Sequence, residues 1–169
     1  ARLLAKEDYG LMAIATGFIG LGNIFVTGGM GTALIQKKNI NDKYVNAALQ
    51  TSLLMGCLLV VVLFFSAPHI ARFYGDNRLE LIIKIVSVNI ILLSVSNISI
   101  SILHKNFKFK HSSLITIVSL LAGSILGVAL AIHNYGVWSL VYATLLTSLI
   151  KSILYIKSAP FSISFEIYF

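Results

Sequence analysis

Charge is what this chain has least of. Only 11% of its residues are charged, against about 25% in soluble domains. Acids are scarcest, with six Asp and Glu among 169 residues. Not one Asp, Glu, Lys or Arg lies between Lys110 and Lys151. An ionised side chain in mid-bilayer is costly, so long uncharged runs are what lipid demands. This run is broken near its middle by His133-Asn134-Tyr135-Gly136. About twenty apolar residues span a bilayer core as a helix, so it reads as two membrane helices around a tight polar turn.

Other absences narrow the chemistry. The single Cys57 excludes an intrachain disulfide and, set in an apolar run, gives a redox role little support. No P-loop, no Gly-x-Ser-x-Gly and no paired-carboxylate motif is present, and Gly20-x-Gly22 lacks the third glycine of a dinucleotide fingerprint. His69, His104, His111 and His133 have no zinc-site spacing on one helix turn. The expectation is a protein that is no enzyme and holds no cofactor and no metal. The net charge of +7 does not argue for nucleic acid, because the basic residues sit in short loops between apolar runs. They read as topology signals.

What is present is apolar: 57% hydrophobic residues and a mean hydropathy of +0.90. Five segments have membrane length, at about 11–35, 45–67, 79–103, 112–132 and 137–156. They predict an all-α integral membrane protein, a single bundle over 1–169. The first segment is interrupted by Asn23 and Thr27 and by Gly28, Gly29 and Gly31. Pro68 marks the end of the second, and residues 70–74 after it suit an outer interface. Lys37, Lys38 and Lys43 fall in one loop, Lys105, Lys108 and Lys110 in another, and Lys157 follows the fifth segment. With alternating helices these share one side. On the other side Arg2, Lys6, Arg72, Arg78 and Lys84 are offset by Glu7, Asp8, Asp76 and Glu80. Positive loops stay cytoplasmic, which places the Ala1 end outside and the C-terminal end in the cytoplasm.

The helix surfaces are patterned. Ser119, Gly123, Gly127 and Ala131 form a small-residue stripe, as do Ala48, Ser52 and Gly56, and such stripes admit a close helix neighbour. Ser87, Ser94, Asn97, Ser101 and His104 make one face of the third segment polar. Ser139, Ala143, Thr147, Lys151 and Tyr155 make a row on the fifth. Polar faces in membranes turn toward partner helices or a wet cavity, so a bundle with a hydrated interior is expected. Lys151 is a candidate cationic contact for an anionic substrate such as a phosphate, or it snorkels to the interface. Asn23 and Asn97, with Asn46, Gln50 and Asn89, line a polar path or act as interhelical glue.

Four short motifs occur in order: Arg2-Leu3-Leu4-Ala5-Lys6-Glu7-Asp8-Tyr9-Gly10, Gly31-Thr32-Ala33-Leu34-Ile35-Gln36-Lys37, Ala71-Arg72-Phe73-Tyr74-Gly75-Asp76, and Tyr135-Gly136-Val137-Trp138-Ser139-Leu140-Val141. With the basic Phe107-Lys108-Phe109 loop, they resemble Wzx-type polysaccharide-biosynthesis flippases of the multidrug/oligosaccharidyl-lipid/polysaccharide superfamily, nearest the colanic-acid-exporter-like branch. That resemblance implies five helices forming most of one lobe of a two-lobe transporter. It also implies a fragment, with a first helix before Arg2 and a whole second lobe after Phe169. The implied activity is alternating-access translocation of an undecaprenyl-diphosphate-linked oligosaccharide across the bacterial cytoplasmic (inner) membrane, for O-antigen, capsule or exopolysaccharide synthesis. No motif residue of that family transfers to substrate binding; Lys151, with Asn23 and Asn97, is the substrate-binding candidate from the residues themselves. A polysaccharide polymerase and glycosyltransferases would be its partners beside the lipid bilayer. The alternatives are a small-molecule antiporter of the same superfamily and a membrane subunit that transports nothing.

Overall fold

The computed structural model describes residues 4–27 and 42–158. They form five helices: α1 (Lys6–Thr27), α2 (Asp42–Tyr74), α3 (Arg78–Lys105), α4 (Phe109–Ile132) and α5 (Val137–Ser158). No strand occurs among the described residues. The fold is all-α, and α2 to α5 are long and apolar enough to cross a membrane. α1 starts at Lys6 rather than at 11, with Glu7 and Asp8 in its first turn, where acids favour a helix. The glycines Gly28, Gly29 and Gly31, expected to break this segment, lie outside the described residues.

Pro68 does not end α2. The helix runs through it to Tyr74 and takes in residues 70–74. At 1.5 Å per residue it is about 50 Å long, well beyond a hydrocarbon core of about 30 Å. Proline removes one backbone hydrogen bond, a loss membrane helices tolerate when neighbours cover the freed group.

The three described turns share one device. Each helix ends with a residue of left-handed backbone: Gly75 after α2 (φ 74), Phe107 after α3 (φ 54) and Asn134 after α4 (φ 62). In each, the next N–H reaches back to a carbonyl five residues earlier, Asp76 to Ala71, Lys108 to Leu103 and Tyr135 to Leu130. This is the Schellman closure, which satisfies orphan carbonyls. Glycine and asparagine suit it; phenylalanine carries a penalty of about 1–2 kcal/mol. Phe107→Gly is therefore expected to raise stability by about 1 kcal/mol. Unfolding of the purified intact protein in detergent checks this, and a loss of stability would contradict the turn geometry.

α3 is the hub, packing against all four other helices. Its Leu79, Ile82, Ile83, Val86 and Ile90 meet Leu11, Ala15 and Ile19 of α1, Leu63, Ala67 and Ala71 of α2, and Val137 and Val141 of α5. The expected small-residue stripes are the closest seams. A Cβ on Gly56 would come within 2.6 Å of Ser94 Oγ, and one on Gly127 within 2.9 Å of Ala143 Cβ. Most of the polar face of α3 is not hydrated. Ser87, Ser94 and Ser101 are buried, and their hydroxyls donate to Lys84, Ile90 and Asn97 carbonyls of the same helix. Small side chains that satisfy themselves locally let helices pack tightly. Outward, Leu54, Leu58, Val61 and Phe65 of α2 and Ile117, Val118, Leu121 and Ile125 of α4 are exposed. An apolar surface on that scale suits lipid, and soluble monomers avoid it.

Candidate functional site

The two ends of the bundle differ in charge. The N-termini of α1, α3 and α5 gather at one end, because Asp8, Arg78 and Gly136 meet there. Arg78 Nη1 lies 3.9 Å from Asp8 Oδ1, and Arg78 Nη2 donates to Asp76 Oδ2 at 2.8 Å. A Cβ on Gly136 would sit 3.4 Å from Asp8 Oδ2, so the carboxylate of Asp8 lies against the start of α5. α5 has no acid in its own first turn; Asp8 supplies that charge from α1, where the helix dipole favours an anion. Asp8 is buried, 8% exposed. Three of the four family-like motifs therefore meet at one ionic tie. The sequence places Asp8, Asp76 and Arg78 on one side of the membrane but does not name Asp8 as a partner of Arg78, from which it is distant along the chain.

Glu80 is taken by a different partner: Lys84 Nζ donates to its Oε1 at 2.6 Å and stands 4.7 Å over the Phe64 ring. The Arg78 side-chain bond, and then the Arg78 backbone N–H, hold the Asp76 carboxyl below its ordinary 3.8. A carboxylate with a lowered folded pKa stabilises above its unfolded pKa and loses that contribution as pH falls through the folded value. The melting-temperature gap between wild type and Asp76→Asn should be small, as for exposed pairs, constant from neutral pH to about 5, and should close below about 4. A gap that widened toward acid would contradict the pairing.

The opposite end is basic. His104, Lys105, Lys108, Lys110, His111 and Lys157 collect there, with a hydroxyl network among them. His104 Nε2 lies 3.2 Å from Ser112 Oγ, and Ser112 Oγ lies 2.8 Å from Tyr155 OH. Thr116 Oγ1 is 3.2 Å from the same phenol, and His111 Nε2 is 3.1 Å from Ser158 Oγ. Deeper, Ser152 joins α5 to α3, donating to the Leu92 carbonyl at 2.7 Å and standing 2.8 Å from Ser96 Oγ.

The sequence-predicted residues lie on three parallel helices: Asn23 on α1, Asn97 on α3 and Lys151 on α5. All three are half-buried and stand about 21–29 Å from the starts of their helices, so they share a depth toward the basic end. Asn46 and Asn89 are buried instead. Among the described residues no cluster of His, Cys, Asp and Glu could hold a metal.

Two grooves open between α4 and α5. One of 310 Å³ is lined by Tyr9, Ser124, Gly127 and Ala143 among others. The next, of 300 Å³, is lined by Ser124, Gly123, Ala143, Thr144, Thr147 and Ser148. A further cavity of 640 Å³ between α3 and the α4–α5 hairpin is walled by Leu92, Leu130, Leu145 and Leu149 with Tyr135 and Tyr142.

A family model described as "Polysaccharide biosynthesis protein" matches residues 1–169. The succinoglycan biosynthesis transport protein ExoT of Rhizobium meliloti (strain 1021) is 22% identical over 151 residues, covering 89% of this chain and 31% of its own length. An uncharacterized membrane protein in the cps region of Klebsiella pneumoniae is 24% identical over 154 residues, 91% of this chain and 32% of its own length. The teichuronic acid biosynthesis protein TuaB of Bacillus subtilis (strain 168) is 29% identical over 91 residues, 54% of this chain and 19% of its own length. The chain spans about a third of the length of the first two of these relatives. No solved structure matches it.

Proposed function

The chain belongs to the polysaccharide biosynthesis protein family, and on that premise we propose that it is most of one lobe of a flippase that carries an undecaprenyl-diphosphate-linked saccharide from the cytoplasmic to the outer leaflet. The observation that carries this reading is the family match along the whole chain, beside a relative described as a transport protein for succinoglycan biosynthesis. The bundle suits the task. Its basic end, facing the cytoplasm by the positive-inside rule, meets an anionic lipid headgroup where the substrate is made. The Asp8 end then faces outward. A sugar head cannot cross about 30 Å of hydrocarbon unaided. Two lobes rocking about a midplane site open a cleft to one side at a time. In this reading Lys151, with Asn23 and Asn97 at similar depth, receives the diphosphate, since charge-assisted bonds to phosphate are strong. A polymerase and the glycosyltransferases that build the saccharide act before and after it.

Deleting the gene for the intact protein tests this. The expected result is loss of surface polysaccharide together with accumulation of its undecaprenyl-linked precursor in the inner membrane. Normal polymer with altered sensitivity to small cationic drugs would overturn it in favour of an antiporter.

A further inference from the structure

The two grooves between α4 and α5 share Ser124 and Ala143 and are one continuous furrow. Its floor is α5. One wall is α4, and Leu4 and Tyr9 stand at its Asp8 end. It stays open because the backbones of α1 and α4, among the described residues, do not approach closely, and because the seam beneath it is closed by the small Gly127 and Ala143. Its chemistry is the reverse of the neighbouring surface. Ile117, Val118, Leu121 and Ile125 are exposed on α4, yet Ser124 is exposed between them, and Thr144, Thr147 and Ser148 face the same furrow from α5. Hydroxyls at mid-membrane depth turn to protein or to water, not to lipid.

We propose that this furrow is the glycan-binding wall of the carrier, with Ser124 and Ser148 donating and accepting hydrogen bonds to sugar hydroxyls and Thr144 accepting them; the assignment rests on the flippase reading above. Thr144 and Thr147 each spend their proton on their own helix, donating to the Val141 and Ala143 carbonyls at 2.8 Å. The Thr147 hydroxyl is packed against Gly123 of α4, whereas the Thr144 oxygen keeps lone pairs to accept, as a hydroxyl-rich ligand needs. Tyr9, 44% exposed, offers an aromatic face at the outer end. Lys151 lies one helical turn beyond Thr147, on the side of the basic end. From Lys151 to Leu140 is about 16 Å along the axis. A diphosphate at Lys151 would thus lay its saccharide outward along the hydroxyls. Neutral, locally satisfied hydroxyls hold a sugar without a charge to trap it.

The test uses the intact protein with all of its cysteines replaced by serine, Cys57 included because it is exposed on α2. Single cysteines replace Ser148 and Thr144 in the furrow and Val118 on the outer face of α4. A membrane-impermeant, charged methanethiosulfonate reacts with thiolate, which needs water, so Ser148→Cys and Thr144→Cys should label at least about tenfold faster than Val118→Cys. Labelling is repeated with undecaprenyl diphosphate, bare or carrying the strain's own saccharide. Slowing by the saccharide-bearing lipid alone is the expected result. Equal slowing by the bare lipid, or equal rates at all three positions, overturns the assignment. Export of surface polysaccharide is scored in the same cells. Export sustained by the background protein with unlabelled furrow cysteines sinks the furrow and leaves the flippase reading standing. Polymer made equally well without the protein sinks the flippase reading itself.

Discussion

Gly123→Leu is expected to break the α4–α5 hairpin. A Cβ at this position would lie 2.7 Å from the Ala143 carbonyl oxygen and press on Thr147 Oγ1. The carbonyl belongs to a helix backbone and cannot swing aside as a side chain can. Overpacking of this kind costs about 1–3 kcal/mol for added methylenes alone, and a leucine adds four carbons at the tightest point of the seam. Small residues let membrane helices approach closely, and packing is what holds them together there. The loss should therefore reach about 3 kcal/mol or more, measured as unfolding of the intact protein in detergent. Ala129→Leu, at an exposed site on the same helix, should be neutral. If Gly123→Leu unfolds like wild type, the hairpin seam is elsewhere.

Asp8→Lys carries the second large effect. The Asp8 side chain is only 11% exposed, 3.9 Å from Arg78 and against the start of α5. Reversal places a second cation beside Arg78 and at two helix N-termini, where the dipole repels it. Arg78 itself is exposed, so the loss comes from holding a lysine ammonium, unpaired, at the buried Asp8 position. Asp8→Asn keeps the shape and leaves Arg78 bonded to Asp76, so it should cost only about 1 kcal/mol. The two variants should therefore rank in unfolding and in surface polysaccharide, Asn mild and Lys severe. Equal behaviour of Asp8→Lys and wild type would remove the tie from the account.

The contrast between these two sites explains what the sequence discloses. The glycine stripe is a local pattern with helical period, so Gly123 and Gly127 announce a close seam before any partner helix is known. The turn at His133 to Gly136 is equally legible, because polar residues interrupt an uncharged run. The likeness to polysaccharide flippases, read from four ordered motifs, is borne out by the family match. Asp8 is not legible in the same way. Its partners, Arg78 and Gly136, are far along the chain, and nothing local in its motif names them. Pro68 misleads because proline is read as a breaker, whereas a helix among membrane neighbours absorbs it. The α3 serines mislead because a row of hydroxyls reads as hydrated when each is buried against neighbouring helices. The furrow is missed for the opposite reason: Ser124, Thr144 and Ser148 follow no single stripe and come together only when α4 lies on α5.

Movement of a lipid-linked saccharide between leaflets is followed by reconstituting the intact protein into proteoliposomes that carry the producing strain's undecaprenyl-diphosphate-linked saccharide. The fraction of saccharide reachable by an external, impermeant glycosidase is then followed over time. The account predicts that protein-containing vesicles expose the inner-leaflet pool while protein-free vesicles do not, and that Asp8→Lys lowers the rate. An inner pool that stays protected with the folded intact protein present would contradict it.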